Sequence, residues 1–354
     1  MKMLSLTVLA SGLVAAMTAP ALGIDPPEPT AARPADAASP QVVAGIVKTS
    51  PKELWKVWTT PEGFKKLGVA KAEIDLRPGG LIRSHYDPAG VVGDEGTIEN
   101  EILAFEPERM LAIRIHKPPK GFPFEKAWKG TWTVISMADL GDGTTHVRIV
   151  GLGYDESAES VAMREFFAKG NGWTLQRLAQ QFDSSAPAPA ATAHGADPME
   201  PIRVERVVAL PRERVWGLLT TSAGWKEFLG VESKIEARPG GRFEVYFGAT
   251  APEGERGSEG CRVLSVLPGE MLSFDWNAPP KLAHARARRT WVVVVLEEVS
   301  ATTTRVRLVH EGFAQMAEAN PDHRAEWEET RGYFANAWPK VLDAVKTVGE
   351  RRAK

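Results

Sequence analysis

Two halves of this chain answer each other in one register. TTPEGFKKLG at 59–68 is matched by TTSAGWKEFL at 220–229, and RPGG at 77–80 by RPGG at 238–241. EPERML at 106–111 is matched by LPGEML at 267–272, and PPK at 118–120 by PPK at 279–281. All four pairs share one offset (238 − 77 = 161), which shortens to 159 where Thr131-Trp132 answers Thr290-Trp291. Chance does not hold a single register over so long a stretch. Solenoid repeats are single supersecondary units of roughly 20–50 residues, so a period this long means a whole domain copied in tandem.

At 354 residues the chain has room for two domains of ordinary size. Residues 24–40 and SSAPAPAATAHGADPM at 184–199 carry almost no large apolar side chains. Such stretches bury too little surface to offset the entropy of ordering, so both read as linkers. The start reads as a secretion signal: Lys2, an uncharged apolar run at 4–17, small residues at Ala19, Ala21 and Gly23, then Pro26 and Pro27. The expected organisation is a signal peptide at 1–23, a disordered linker at 24–40, domains at 41–183 and 200–349, and a Pro/Ala linker at 184–199. A periplasmic or secreted mature protein with no stable membrane span is expected.

Composition excludes several classes. With 43% hydrophobic and 25% charged residues the chain is neither fibrous nor wholly disordered. A formal charge of −2 gives no overall field for nucleic acid. One cysteine, Cys261, excludes an intrachain disulfide and a cysteine-based zinc site. Eleven tryptophans against four tyrosines is the one unusual count.

Each half predicts the same α+β order. A strand at 42–48 or 202–209 precedes a helix opened by Pro51 or Pro211, with Leu54, Trp55 and Trp58 or Val215, Trp216 and Leu219 at helical spacing. A short second helix follows near 62–67 and 223–229. RPGG is a tight turn, here between strands at 72–76 and 81–87. The strand at 242–247 alternates, with Phe243, Val245 and Phe247 on one face. Four more strands are expected near 97–105, 110–116, 128–135 and 145–150, with counterparts near 261–267, 271–276, 289–296 and 303–309. A long helix closes each half. Its stripe is Met163, Phe167, Leu175, Leu178 and Phe182 in the first and Trp327, Phe334, Trp338, Val341, Val345 and Val348 in the second. Pro339 is expected to kink or split that last helix. Trp173, the apparent mate of Trp338, falls off its stripe, as a one-residue slip in the helix alignment would produce.

These motifs resemble a known family. They are Pro51, Trp55, RPGG at 77–80 and 107–111, then Pro211, Trp216, RPGG at 238–241 and 268–272. Together they resemble bacterial proteins similar to the C-terminal domain of the activator of the heat-shock-protein-ninety ATPase, within the SRPBCC superfamily of START and birch-pollen-allergen domains. The resemblance covers about 42–183 and 200–349. It implies two tandem helix-grip domains, each a curved antiparallel sheet around a long C-terminal helix, with space for a small hydrophobic or lipid-like ligand between them. Most relatives are single-domain and carry no signal, and an ATPase-activating role fits an exported chain poorly.

Catalytic signatures are sparse. None of the seven histidines forms an i, i+4 pair, and no HExxH, G-x-S-x-G, Walker or G-x-G-x-x-G motif stands in its required context, so neither metal nor cofactor is expected. His85 with Tyr86, and His310 beside Glu311, are the weak acid/base candidates; strand alternation would send the neighbours of each pair to opposite faces. His284, Arg286, Arg288 and Arg289 could dock an anion or form a charged edge. Cys261 reads as a small apolar residue. Candidate cavity residues are Trp132, Phe167, Phe243, Phe247, Trp291 and Trp338. The leading expectation is hydrophobic-ligand binding. The rivals are a cyclase- or dehydratase-like or hydrolytic enzyme and a protein-interaction module.

Overall fold

The computed structural model describes residues 38–183, 199–248 and 250–352. The expected signal peptide and nearly all of both expected linkers lie outside the described residues. The chain divides into two compact units, meeting in sequence at Thr192 and Ala193.

The first unit runs β1 (Gln41–Val47), α1 (Pro51–Thr59), α2 (Pro61–Lys65), β2 (Lys71–Ile74), β3 (Leu81–His85), β4 (Ile98–Glu106), β5 (Met110–Lys117), β6 (Trp132–Asp139), β7 (Thr145–Leu152) and α3 (Ala158–Phe182). Local chemistry starts the helices where the sequence suggests. Ser50 accepts the Glu53 N–H ahead of Pro51, and Thr60 accepts the Gly63 N–H ahead of Pro61. The seven strands form one antiparallel sheet in the order β1-β7-β6-β5-β4-β3-β2. One expected strand starts late. Residues 127–130 form a 3-10 turn, and β6 begins only at Trp132.

The second unit repeats the plan: β8 (Ile202–Val208), α4 (Arg212–Thr220), α5 (Ser222–Leu229), β9 (Glu232–Ile235), β10 (Phe243–Tyr246), β11 (Val263–Leu267), β12 (Met271–Trp276), α6 (Ala283–Arg286), β13 (Thr290–Ser300), β14 (Thr303–Glu311), α7 (Phe313–Ala319) and α8 (Arg324–Arg352). Its strands fall into a five-stranded sheet, β11-β12-β13-β14-β8, and a β10-β9 ribbon. Backbone bonds from Phe243 to Cys261 and from Val263 to Gly241 continue the surface across the break. Both units are therefore α+β helix-grip folds.

RPGG does the same work twice. Gly79 and Gly240 each have φ +77°, and a Cβ on Gly80 or Gly241 would fall about 2 Å from the carbonyl of Asp75 or Glu236.

The closing helices match at an offset not apparent in sequence. The buried side of α8 is Trp327, Thr330, Phe334, Trp338, Leu342, Val345 and Val348; that of α3 includes Ser160, Met163, Phe167, Asn171, Leu175 and Leu178. Subtracting 167 superposes the two sets (338 − 171 = 167). The structural mate of Trp338 is Asn171, and Trp173 is a half-buried residue under Arg177. The misfit was thus a real change of offset, not a one-residue slip. Leu342 takes the core position expected of Val341. Pro339 does not split the helix: α8 is a single helix of 29 residues. Among the described residues no helix is long and apolar enough to cross a membrane.

Candidate functional site

The second unit contains a cleft of about 660 Å³. It lies between α8, the end of β12 with residues 277–280, and the loop at 247–258. The wall is aromatic. Trp276 and Trp338 are nearly buried, with ring centroids 5.3 Å apart. Phe334 stacks on Trp338, and Phe247 meets Trp276 edge-on at the mouth. A volume of this size suits a drug-sized ligand.

A buried hydrogen-bond chain ties the two tryptophans together. Trp338 Nε1–H donates to His310 Nδ1 at 2.9 Å. That requires the imidazole proton on Nε2, which lies 2.7 Å from Thr290 Oγ1, and the Thr290 hydroxyl donates to the Trp276 carbonyl at 3.2 Å. His310 is fully buried against Phe313 and Phe334, and burial pushes its pKa down to about 3. Both nitrogens are occupied and the ring is neutral, so His310 braces the wall and is not an available base. Glu311 lies on the other face of β14, opposite Trp291.

The loop over the cleft is anchored by Arg286. Its guanidinium donates to the carbonyls of Gly254, Gly257 and Ala278. Glu259 accepts the N–H groups of Gly254 and Arg256 and pairs with the Arg256 guanidinium. Burial opposes its ionisation, but these donors outweigh it and hold the carboxyl below its usual range. The cationic cluster is spent on the protein itself. Arg288 donates to the His284 carbonyl and Arg289 to that of Arg286, so these arginines brace a turn and do not form a vacant anion dock.

In the first unit the equivalent space is filled. Phe122 and Phe124 fold against Phe166 and Phe167 in edge-to-face contacts, with Tyr154, Met163 and Trp128 around them. What remains is a hollow of about 20 Å³, about one water molecule in size. The difference is local in sequence. After the shared PPK, the first unit continues GFPF and the second LAHA.

The sequence-predicted residues disperse accordingly. Phe247 and Trp338 line the cleft. Phe167 and the half-buried Trp132 border the small hollow of the first unit. Phe243 stacks on Phe274 at 3.9 Å within the core. Trp291 faces away from the cleft, because it pairs with Asp275 and Glu311 while Thr290 and Val292 point inward; its ring packs where a Cβ on Gly312 would come within 2.6 Å. His85 and Tyr86 form no acid/base pair at a cleft. His85 Nδ1 accepts the Asp87 N–H, Nε2 faces Asp94 Oδ1 at 3.0 Å, and the ring is clasped by Gly90 and Gly96. It therefore staples the loop at 87–97. Cys261 is buried, and burial pushes its thiol up to about 12. Sequence reasoning missed Trp276, Phe334 and Tyr333. A usable sign was Trp276 three residues before the shared PPK.

No curated protein sequence matches the chain. Among solved structures, protein MLL2253 from Mesorhizobium loti is 23% identical, covering 43% of this chain and 98% of its own, with a TM-score of 0.34. The di-domain ARO/CYC protein BexL of the BE-7585A biosynthetic pathway is 11% identical, covering 88% and 98%, with a TM-score of 0.33. The Aha1 dimer from Colwellia psychrerythraea is 17% identical, covering 41% and 94%, with a TM-score of 0.30. The profile of the activator of Hsp90 ATPase homolog 1-like proteins matches residues 48–183 and again 209–347. With both units matched over most of its length, the chain belongs to the activator of Hsp90 ATPase homolog 1-like family, as two tandem SRPBCC-type copies.

Proposed function

We propose that this is an exported ligand-binding protein whose second unit holds a small, mainly apolar molecule in the cleft against α8. The observation that carries this is the cleft of about 660 Å³ walled by Trp276, Trp338, Phe334 and Phe247. Burying roughly 300 Å² of ligand surface would contribute about 7 kcal/mol before association costs. The ionisable groups on the lining are Glu255, Arg256, Arg286, Tyr333 and Lys340. Glu255, Tyr333 and Lys340 are exposed, and Arg256 and Arg286 are committed to protein partners. Binding is thus favoured over cyclase or dehydratase chemistry, which needs an acid or base aimed at the bound molecule.

Native mass spectrometry of gently purified full-length protein tests the proposal. An adduct is expected on the wild type and should be lost in Ala337→Trp, which fills the cleft from α8. A ligand-free wild type that also binds no added hydrophobic probe would overturn it. Export is tested separately by N-terminal sequencing. A mature chain starting after Ala21 or Gly23 supports it, and one starting at Met1 refutes it.

A further inference from the structure

Provided the cleft binds as proposed, the charged groups at its mouth are those a ligand's head group would meet. Four charged side chains besides Lys340 stand at or just behind the lining. Arg256 is held by Glu259 and lies over the Tyr246 ring. Arg286 gives its donors to three backbone carbonyls. Glu255 is exposed on the loop side. Lys340, on the α8 side, has no ion pair or hydrogen bond among the described residues. Arg351 near the end of that helix likewise has none, whereas the helix's other basic residues with described side chains are engaged. Arg324 pairs with Glu328, Lys346 with Glu350, and Arg331 donates to the Glu200 carbonyl.

Lys340 also has a polar neighbour one turn back. Asn336 sits at i−4 on the same edge of the cleft, with one amide hydrogen on the Gly332 carbonyl and the second left over. An ammonium on a four-carbon stem can stay in water and still reach a group at the rim. The first unit supplies a natural contrast. At the helix offset of 167 the position of Lys340 is Trp173 (340 − 167 = 173), and there the cleft is closed. The unpaired cation thus occurs in the unit whose cleft is open.

We propose that the ligand is an amphiphile with a flat apolar body and a single anionic head group, and that Lys340, assisted by Asn336, receives that head. The body lies between Trp276, Trp338 and Phe247, whose faces favour planar rings.

A matched pair of probes tests this in the full-length chain. 1-Anilinonaphthalene-8-sulfonate and N-phenyl-1-naphthylamine share an aromatic body and differ by the sulfonate. The wild type is expected to bind the sulfonate about fivefold more tightly, as suits one rim charge pair. Lys340→Gln should abolish that preference, read as the ratio of the two probes' affinities, and Lys340→Glu should reverse it. The preference should also shrink in high salt. Equal binding of both probes by the wild type, or an unchanged ratio in Lys340→Gln, would overturn the head-group assignment and leave ligand binding standing. If neither probe binds, or if Ala337→Trp binds both as well as the wild type, binding in the cleft fails as well.

Discussion

At the scale of single residues, His310, a weak acid/base candidate in sequence, and Arg286, part of a possible anion dock, are structural braces in the fold. His310 is kept neutral by burial, with its pKa lowered from about 6.5 to about 3. The unfolded chain therefore binds a proton that the folded chain refuses. The stability this group supplies is present above pH 6.5 and is lost as pH falls toward 3, with a slope of up to about 1.4 kcal/mol per unit. Urea unfolding between pH 7 and 4 should show this loss in the wild type and a shallower slope in His310→Leu. At pH 7 the same variant should be about 1–3 kcal/mol less stable, because the Trp338 N–H is left buried without an acceptor. Arg286 is the second brace. Arg286→Ala strands the carbonyls of Gly254, Gly257 and Ala278 and should cost about 2–3 kcal/mol in chemical unfolding, while loosening probe binding. Neither role was legible in sequence. The partners of His310 and Arg286 lie on a strand, a helix and loops 8 to 32 residues away in sequence, brought together only by the fold.

At the scale of elements, one short segment separates the two units. After PPK, two phenylalanines fold back onto α3, whereas Leu282, Ala283 and Ala285 leave the matching space over α8 open. Phe124→Ala should destabilise the first unit by about 3–4 kcal/mol, and it should create a new site for N-phenyl-1-naphthylamine, read as added fluorescence stoichiometry. Strand alternation decided other assignments. It put Trp291 on the far face of β13 although its neighbour Thr290 points inward, and it separated His310 from Glu311. These outcomes follow from a period of two once the register is known. The register is set by pairing, and pairing cannot be read from one strand. The strands themselves, the Pro-led helices and the RPGG turns were legible because each is a local signal of conformation.

At the scale of the whole molecule, duplication has produced two units with one fold and unequal interiors. Each has its own sheet and its own closing helix, so each should fold when expressed alone. The piece 199–354 should bind the naphthyl probes as tightly as the full chain, and 38–183 should not bind them. Equal binding by both pieces would contradict the filled interior described for the first unit. A shared fold with one open cleft fits a copy released to specialise while the other keeps a packed core.

The amino-acid sequence alone determined the tandem organisation, the α+β class and the element order, because repeats, turn residues and hydrophobic periods are local properties of a chain. Only the tertiary structure decided which half is open, which tryptophans wall the cleft, and that Asn171 and not Trp173 stands where Trp338 does. Those facts depend on how side chains from distant elements fill or fail to fill one volume, and no single stretch of sequence encodes a volume.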